Sequence, residues 1–221
     1  MHSNIKYKIR GEKVMTPPTS KYARLASDAQ IKRTVEALAA NGMIAIVVET
    51  GADARKKVAE LLPAGAEAFI SSSVTLDQLG ITEDVDKSGR YDSVRVKLSK
   101  LDYQTQQREM VKLGASPEYV LGSVQALTES GVAMIASATG SQLGPYGAGA
   151  SKVIWVVGSQ KIVSNNEEGL KRINEYVLPL EDERAFKIYK AHSVVGKLLV
   201  VNREITPGRI TVIIVKENIG F

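Results

Sequence analysis

The chain has 221 residues, a formal net charge of +5, no cysteine and only two histidines, His2 and His192. A chain of this length can bury one large core without covalent staples. The missing cysteines exclude disulfides, thiolate nucleophiles, cysteine-ligated zinc and iron–sulfur clusters within the chain, and two histidines are too few for a histidine-rich metal site.

Residues 1–18 read as irregular, punctuated by Pro17 and Pro18. From Thr19 to Ala40, apolar residues at helical spacing (Leu25, Ala29, Val35, Leu38) predict a helix, stopped by Asn41-Gly42. Met43–Glu49 is a buried-strand run. Thr50-Gly51 turns the chain into a helix that runs to Leu62 and ends at Pro63. Ala66–Ser71 is a second strand, and SSVTLDQLGI enters a helix with Thr75 as its N-cap. Strand and helix alternate over short loops, which argues for parallel βαβ units.

The segment DVDKSGRYDSVRVK reads as a loop. Asp102–Leu113 is a helix, broken before Pro117. YVLGSVQALTESGVAMIAS contains two apolar runs joined by a hairpin-like turn at Thr128–Gly131. Lys152–Val157 is almost wholly apolar and therefore a central strand. Asn165–Tyr176 is a helix with a capping asparagine and Glu167-Glu168 in its first turn. A further helix follows Pro179, and LLVVN and RITVIIVKE are two final strands. No apolar run approaches the roughly 18 residues of a membrane span. No apolar segment follows the basic start, as a secretory signal would require, so a cytoplasmic location is expected.

The positive charge is spread along the chain, with one Trp and three Phe. No finger, RRM or basic-helix motif is present. Nucleic acid is therefore not an expected partner, and the charge suits a small anionic substrate.

The glycine-rich stretch SATGSQLGPYGAGASK invites a nucleotide reading and fails it. A P-loop needs Lys-Ser/Thr after its last glycine, whereas Ala150-Ser151 follows Gly149; the dinucleotide fingerprint needs a helix after it, and a strand follows. What remains is a loop between two strands. Ser137, Thr139, Gly140, Ser141 and Gln142 could bind a ligand there, or the loop could simply pack against the sheet edge. Gly158-Ser-Gln160-Lys161 follows the central strand, where open α/β sheets bind ligands, and Lys161 could hold an anion. Thr50-Gly51 with Arg55 and Lys56 is a third anion candidate and Ser71–Thr75 a fourth. For acid–base work only Glu49, at a strand end, and Glu129, in the turn, stand out. Nothing near His192 completes a triad.

Taken in order, SSSVTLDQLGI, GSVQALTESGVAMIASATGSQLGPYGAGASKVIWVVGSQKIV, LKRI, PLEDERA and PGRITVIIVKENIGF resemble the LUD-domain family, lactate utilisation protein C type, over about residues 40–221. The resemblance implies a three-layer α/β/α fold with a mostly parallel central sheet, like the NagB/RpiA/CoA-transferase group. Residues 1–40 would be an extension and helix packed on a domain of residues 41–221. It also implies a link to lactate oxidation beside iron–sulfur protein subunits. The positions that match its motif are Ser73, Thr75, Thr128, Gly131, Thr139, Gly140, Gly158 and Lys161. Some relatives carry cysteines after the segment matched by PLEDERA; here AFKIYKAHSVVGK stands there, which excludes a metal cluster in that region.

The expectation is a protein that binds a small anionic metabolite or serves as an accessory subunit in lactate oxidation. It calls for no cofactor and leaves homo-oligomerisation open. Two alternatives stand beside it: an enzyme on a sugar-phosphate, folate or CoA-thioester substrate, with Glu49 or Glu129 as nucleophile, and a scaffold subunit without its own ligand.

Overall fold

The computed structural model describes residues 20–221. The irregular reading of residues 1–18, with Pro17 and Pro18, lies outside them. A short 3₁₀ turn at Lys21–Ala23 precedes α1 (Asp28–Ala40). The helix predicted from Thr19 thus begins nine residues later. Ser27 caps it, accepting from the Gln30 N–H, while the Gln30 side chain returns to the Ser27 N–H. That capping box satisfies two of the orphan donors of the first turn.

The chain then alternates as expected: β1 (Ile44–Val48), α2 (Gly51–Leu61), β2 (Glu67–Ile70) and α3 (Val74–Gln78). Ser73, not Thr75, caps α3, its hydroxyl accepting from the Leu76 N–H at 3.4 Å. Either residue type can cap; Thr75 is turned inward and is 1% exposed. The segment read as a loop, residues 84–97, holds the second half of α4 (Ile81–Lys87), the two-residue β3 (Asp92–Ser93) and most of α5 (Val94–Leu98). Val85 and Val94 are buried there, so tertiary packing orders a locally polar stretch. Next come α6 (Gln107–Ala115), β4 (Tyr119–Gly122), β5 (Ala126–Thr128) and β6 (Ala133–Ser137).

After β6 the glycine-rich stretch contains a π-helical turn at Pro145–Gly149, then β7 (Lys152–Gly158), a 3₁₀ turn at Ser159–Lys161 and β8 (Ile162–Val163). The two helices predicted around Pro179 are one continuous rod. It comprises α7 (Asn166–Arg172), a π-helical turn (Ile173–Val177) and α8 (Leu178–Tyr189), with helical backbone at every junction. Pro179 cannot donate, and its ring crowds the turn before it. The helix widens there, and the Leu178 N–H reaches the Ile173 carbonyl five residues back. Strands β9 (Lys197–Val201) and β10 (Ile210–Val215) complete the order.

Six strands form a wholly parallel central sheet in the order β1-β10-β7-β4-β2-β3. All of β10 and all of β7 beyond Lys152 are buried, as a parallel sheet covered on both faces requires. Side chains alternate between two cores. Val153, Trp155, Val157, Val212 and Ile214 face Ile31 and Leu38 of α1 and Leu127, Ala133 and Ile135 of the hairpin. Ile154, Val156, Ile213 and Val215 face Ala54 and Val58 of α2, Leu76 of α3 and Val85 of α4. Each such side chain contributes about 1.5–3 kcal/mol by leaving water. The result is a three-layer α/β/α fold.

The sequence did not separate a second sheet, of four strands in the order β8-β5-β6-β9. The expected turn at Thr128–Gly131 joins β5 to β6, which pair antiparallel, and β9 adds to the other edge of β6. This small sheet lies between α1 and the α7–α8 rod. Tyr22, Met134, Val163 and Ile173 form a third core on its far side.

Candidate functional site

The cavity of interest has a volume of about 300 Å³. One side is built at the carboxyl ends of three adjacent central strands. Ser71, Ser72, Ser73 and Thr75 follow β2, Ser123 follows β4, and Lys161 follows β7. Ser137, Thr139, Ser141 and Gln142 come from the loop after β6, and Gln125 from the start of the hairpin. The other side is largely apolar: Ile173 and Val177 of the π-helical turn, Leu178, Val194 and Val195. Glu181, Arg184, Tyr189, Ser193 and Phe221 also line it, as does the Asp77 carboxylate of α3. Widened turns of this kind are frequent at functional sites, where one extra residue re-aims the side chains around it.

Lys161 lies in the floor and is 1% exposed. Its Nζ donates to Thr75 Oγ1 at 2.9 Å and to Ser123 Oγ at 3.1 Å. No carboxylate among the described residues pairs with it. Burial, and secondarily the positive charge of Arg172, hold its ammonium pKa well below the ordinary lysine value. Arg172 is itself fully buried. It donates to the Gln125 and Tyr22 carbonyls, lies against the Tyr176 ring at 5.3 Å, and has no carboxylate partner among the described residues. Its Nε has no acceptor. Burial brings its pKa down to about 10. Two buried cations without counter-ions are costly, since ordinary buried charges are paired.

The floor is closed by close backbone approach. Gly220 has φ +65°, and a Cβ there would strike Thr75 Oγ1 and lie 3.2 Å from Lys161 Nζ. Gln160 holds this segment in place: its Nε2 donates to the Ile219 carbonyl at 2.9 Å and to that of Gly220 at 3.3 Å. On the wall, the Tyr146 hydroxyl and Ser71 Oγ lie 2.8 Å apart, and the Tyr146 ring stands edge-on to Trp155 at 5.5 Å. Burial pushes the Tyr146 pKa up, so the phenol stays protonated. A Cβ on Gly122 would run into that hydroxyl, which makes glycine necessary there.

Of the residues singled out from sequence, Ser73, Thr75, Ser137, Thr139, Ser141, Gln142 and Lys161 meet at this cavity. Thr128, Gly140, Gly158 and Gln160 do not line it. Thr128 Oγ1 accepts from the Val132 N–H in the hairpin turn, where Gly131 has φ +76°. The Gly140 N–H donates to Ser137 Oγ. Gly158 leaves room for the Gln160 side chain.

Neither glutamate lines the cavity. Glu49 is exposed and pairs with Lys216 at 3.0 Å. Glu129 accepts from Gln30 and Arg33 of α1. Burial alone would raise its pKa, but these partners outweigh it and leave the carboxyl below its ordinary value. The helix N-terminus at Thr50-Gly51 already holds the chain's own carboxylates: Asp53 in a capping box and Glu217, which accepts from the Gly51 N–H at 3.0 Å. Arg55 is engaged by Asp84. His192 is exposed and bound to Asp182 at 3.0 Å.

Sequence reasoning passed over Ser123, Gln125, Glu181, Arg184 and Tyr189, and placed Arg172 no closer than a helix. No sequence signal marked Arg172, since Glu168 four residues before it reads as its ion-pair partner. Among the described residues no group of three or more His, Asp or Glu could hold a metal ion, and no helix is long and apolar enough to cross a membrane.

The model of the LUD domain family matches residues 31–215. The crystal structure of a DUF162 family protein from Deinococcus radiodurans is similar in fold, with a TM-score of 0.55 at 13% identity, covering 90% of this chain and 99% of that one. No curated protein matches.

Proposed function

The chain belongs to the LUD-domain family, and from that premise we propose that it binds a small anionic metabolite in the cavity beyond β2, β4 and β7. The observation that carries this reading is buried Lys161, with no counter-ion among the described residues, lining a cavity rimmed with hydroxyls; Arg172, likewise unpaired, does not line the cavity but adds its charge to that of Lys161. An entering carboxylate or phosphate supplies the missing charge. The hydroxyls of Ser73, Thr75 and Ser123 supply donors, and the apolar wall holds whatever carbon the anion carries. Local desolvation makes each of these contacts stronger than it would be in water.

The sequence resemblance adds a setting, lactate utilisation, in which the anion would be lactate or a related acid and the chain an accessory subunit beside iron–sulfur proteins. Thermal unfolding tests the reading with lactate, pyruvate, sugar phosphates, CoA esters and nucleotides. A true ligand at ~100 times its dissociation constant stabilises by about 2.7 kcal/mol, or roughly 5–11 °C for a chain of this size. The shift is expected to vanish in Lys161→Met. If no anion shifts the wild-type protein, the reading fails.

A further inference from the structure

Resting on that anion-binding reading, we propose that Lys161 is a covalent group, and that the cavity takes 2-oxo acids by forming an imine between Lys161 Nζ and the 2-carbonyl carbon. The geometry meets what such a lysine needs. Its amine has no carboxylate to hold it as a permanent ammonium among the described residues. It is fixed by two hydroxyls rather than by a charge, Thr75 Oγ1 at 2.9 Å and Ser123 Oγ at 3.1 Å. All three residues line the same cavity. A second buried cation, Arg172, stands near enough to disfavour the protonated amine. A lysine desolvated or set beside another cation is an activated nucleophile.

The step balances without any oxidant or reductant. The Nζ lone pair attacks the carbonyl carbon, and the carbonyl π pair moves to oxygen. The oxygen takes one amine proton, relayed by the Ser123 or Thr75 hydroxyl, to give a carbinolamine. The carbon–oxygen bond then breaks, and the oxygen leaves as water with the second amine proton. The imine that remains can take up a proton, and that charge lies next to the substrate's own carboxylate, one carbon away. A 2-oxo acid therefore brings both the electrophile and the anion that the buried cations lack. A 2-hydroxy acid brings only the anion. The cavity's volume also leaves room for an apolar side chain against Ile173 and Val177.

The test uses the full chain with pyruvate and 2-oxohexanoate, each with sodium cyanoborohydride, and with the matching 2-hydroxy acids as controls. Intact mass and peptide mapping of the wild-type protein locate the adduct, so the result does not depend on a variant's folding. Calorimetry without reductant measures binding in parallel. One reduced oxo-acid group on Lys161, absent with hydroxy acids and absent in Lys161→Met, supports the proposal. Calorimetric binding with no adduct on Lys161 overturns the imine and leaves the anion site standing. An adduct spread over surface lysines, at the same level in Lys161→Met, also overturns the imine. Neither binding nor adduct overturns the imine, and the thermal shifts with the other anions then decide whether the anion site stands.

Discussion

At the amino end of β7, Arg209 is buried beside the first residues of the strand. It is paired with Glu204 at 2.7 Å and donates to the carbonyls of Ala150, Pro145 and Tyr146. Beyond the carboxyl end of the same strand, Lys161 is buried more deeply and meets only two hydroxyls. The first cation is satisfied by the protein and needs nothing more. The second is left short of a charge, beside a cavity that could admit one. The difference separates a buried charge that holds the fold from one kept for a ligand, and perturbed groups of the second kind cluster at functional sites.

The sharpest way to break this comparison is Arg209→Met. It strands Glu204 and three carbonyls, and should cost about 3–5 kcal/mol in urea unfolding. A loss near zero would mean that this pair does not hold the fold. Lys161→Met should move the other way and stabilise the ligand-free protein by about 1–3 kcal/mol, because it removes a buried charge that lacks a partner. The size of this gain depends on pH. Burial, then Arg172, lower the folded-state pKa of Lys161 below its unfolded value of 10.5, so the unfolded chain holds this proton more tightly. The penalty is full below the folded pKa and fades as pH rises toward the unfolded one. The advantage of Lys161→Met should shrink over that window, and unfolding at several pH values checks it.

A smaller effect is expected from Tyr146→Phe, which removes the hydrogen bond to Ser71. A loss of about 1 kcal/mol, or roughly 2–4 °C, is expected in thermal unfolding. Smallest is Glu49→Gln. Its pairing with Lys216 is solvent-exposed, and the change should fall within about 0.5 kcal/mol of zero. A large effect there would erase the distinction between buried and surface charge on which the comparison rests.

The central strands were legible because their apolar runs are continuous and short, as in β7 and β10. The order of strands and helices was legible for the same reason. Residues 92–98 were not, since Val94 is the lone fully buried anchor of α5 and its apolar residues, Val94, Val96 and Leu98, alternate with polar ones instead of following a helical period. The start of α1 was written in Ser27 and Gln30, whose spacing is a capping box, yet the apolar periodicity upstream pointed to an earlier start. At the site, Lys161 was visible as a basic residue after a central strand. Its burial was not visible, because it is imposed by Gly220, from the far end of the sequence, which the neighbouring Gln160 holds in place. Ser123 had no local motif at all. It faces Lys161 only because β4 and β7 are neighbours.

The π-helical turn at Ile173–Val177 sets the angular phase of everything that follows it in the rod. Each residue of an α-helix advances the chain by about 100°. Deleting one residue from that turn would let it close to ordinary α-helical winding. The rod would keep nearly its full length and its place on the small sheet. Glu181, Arg184 and Tyr189 would then swing by about that angle and leave the cavity wall. The extra residue is thus a rotational offset that lets a proline-bearing helix present those three side chains to the cavity.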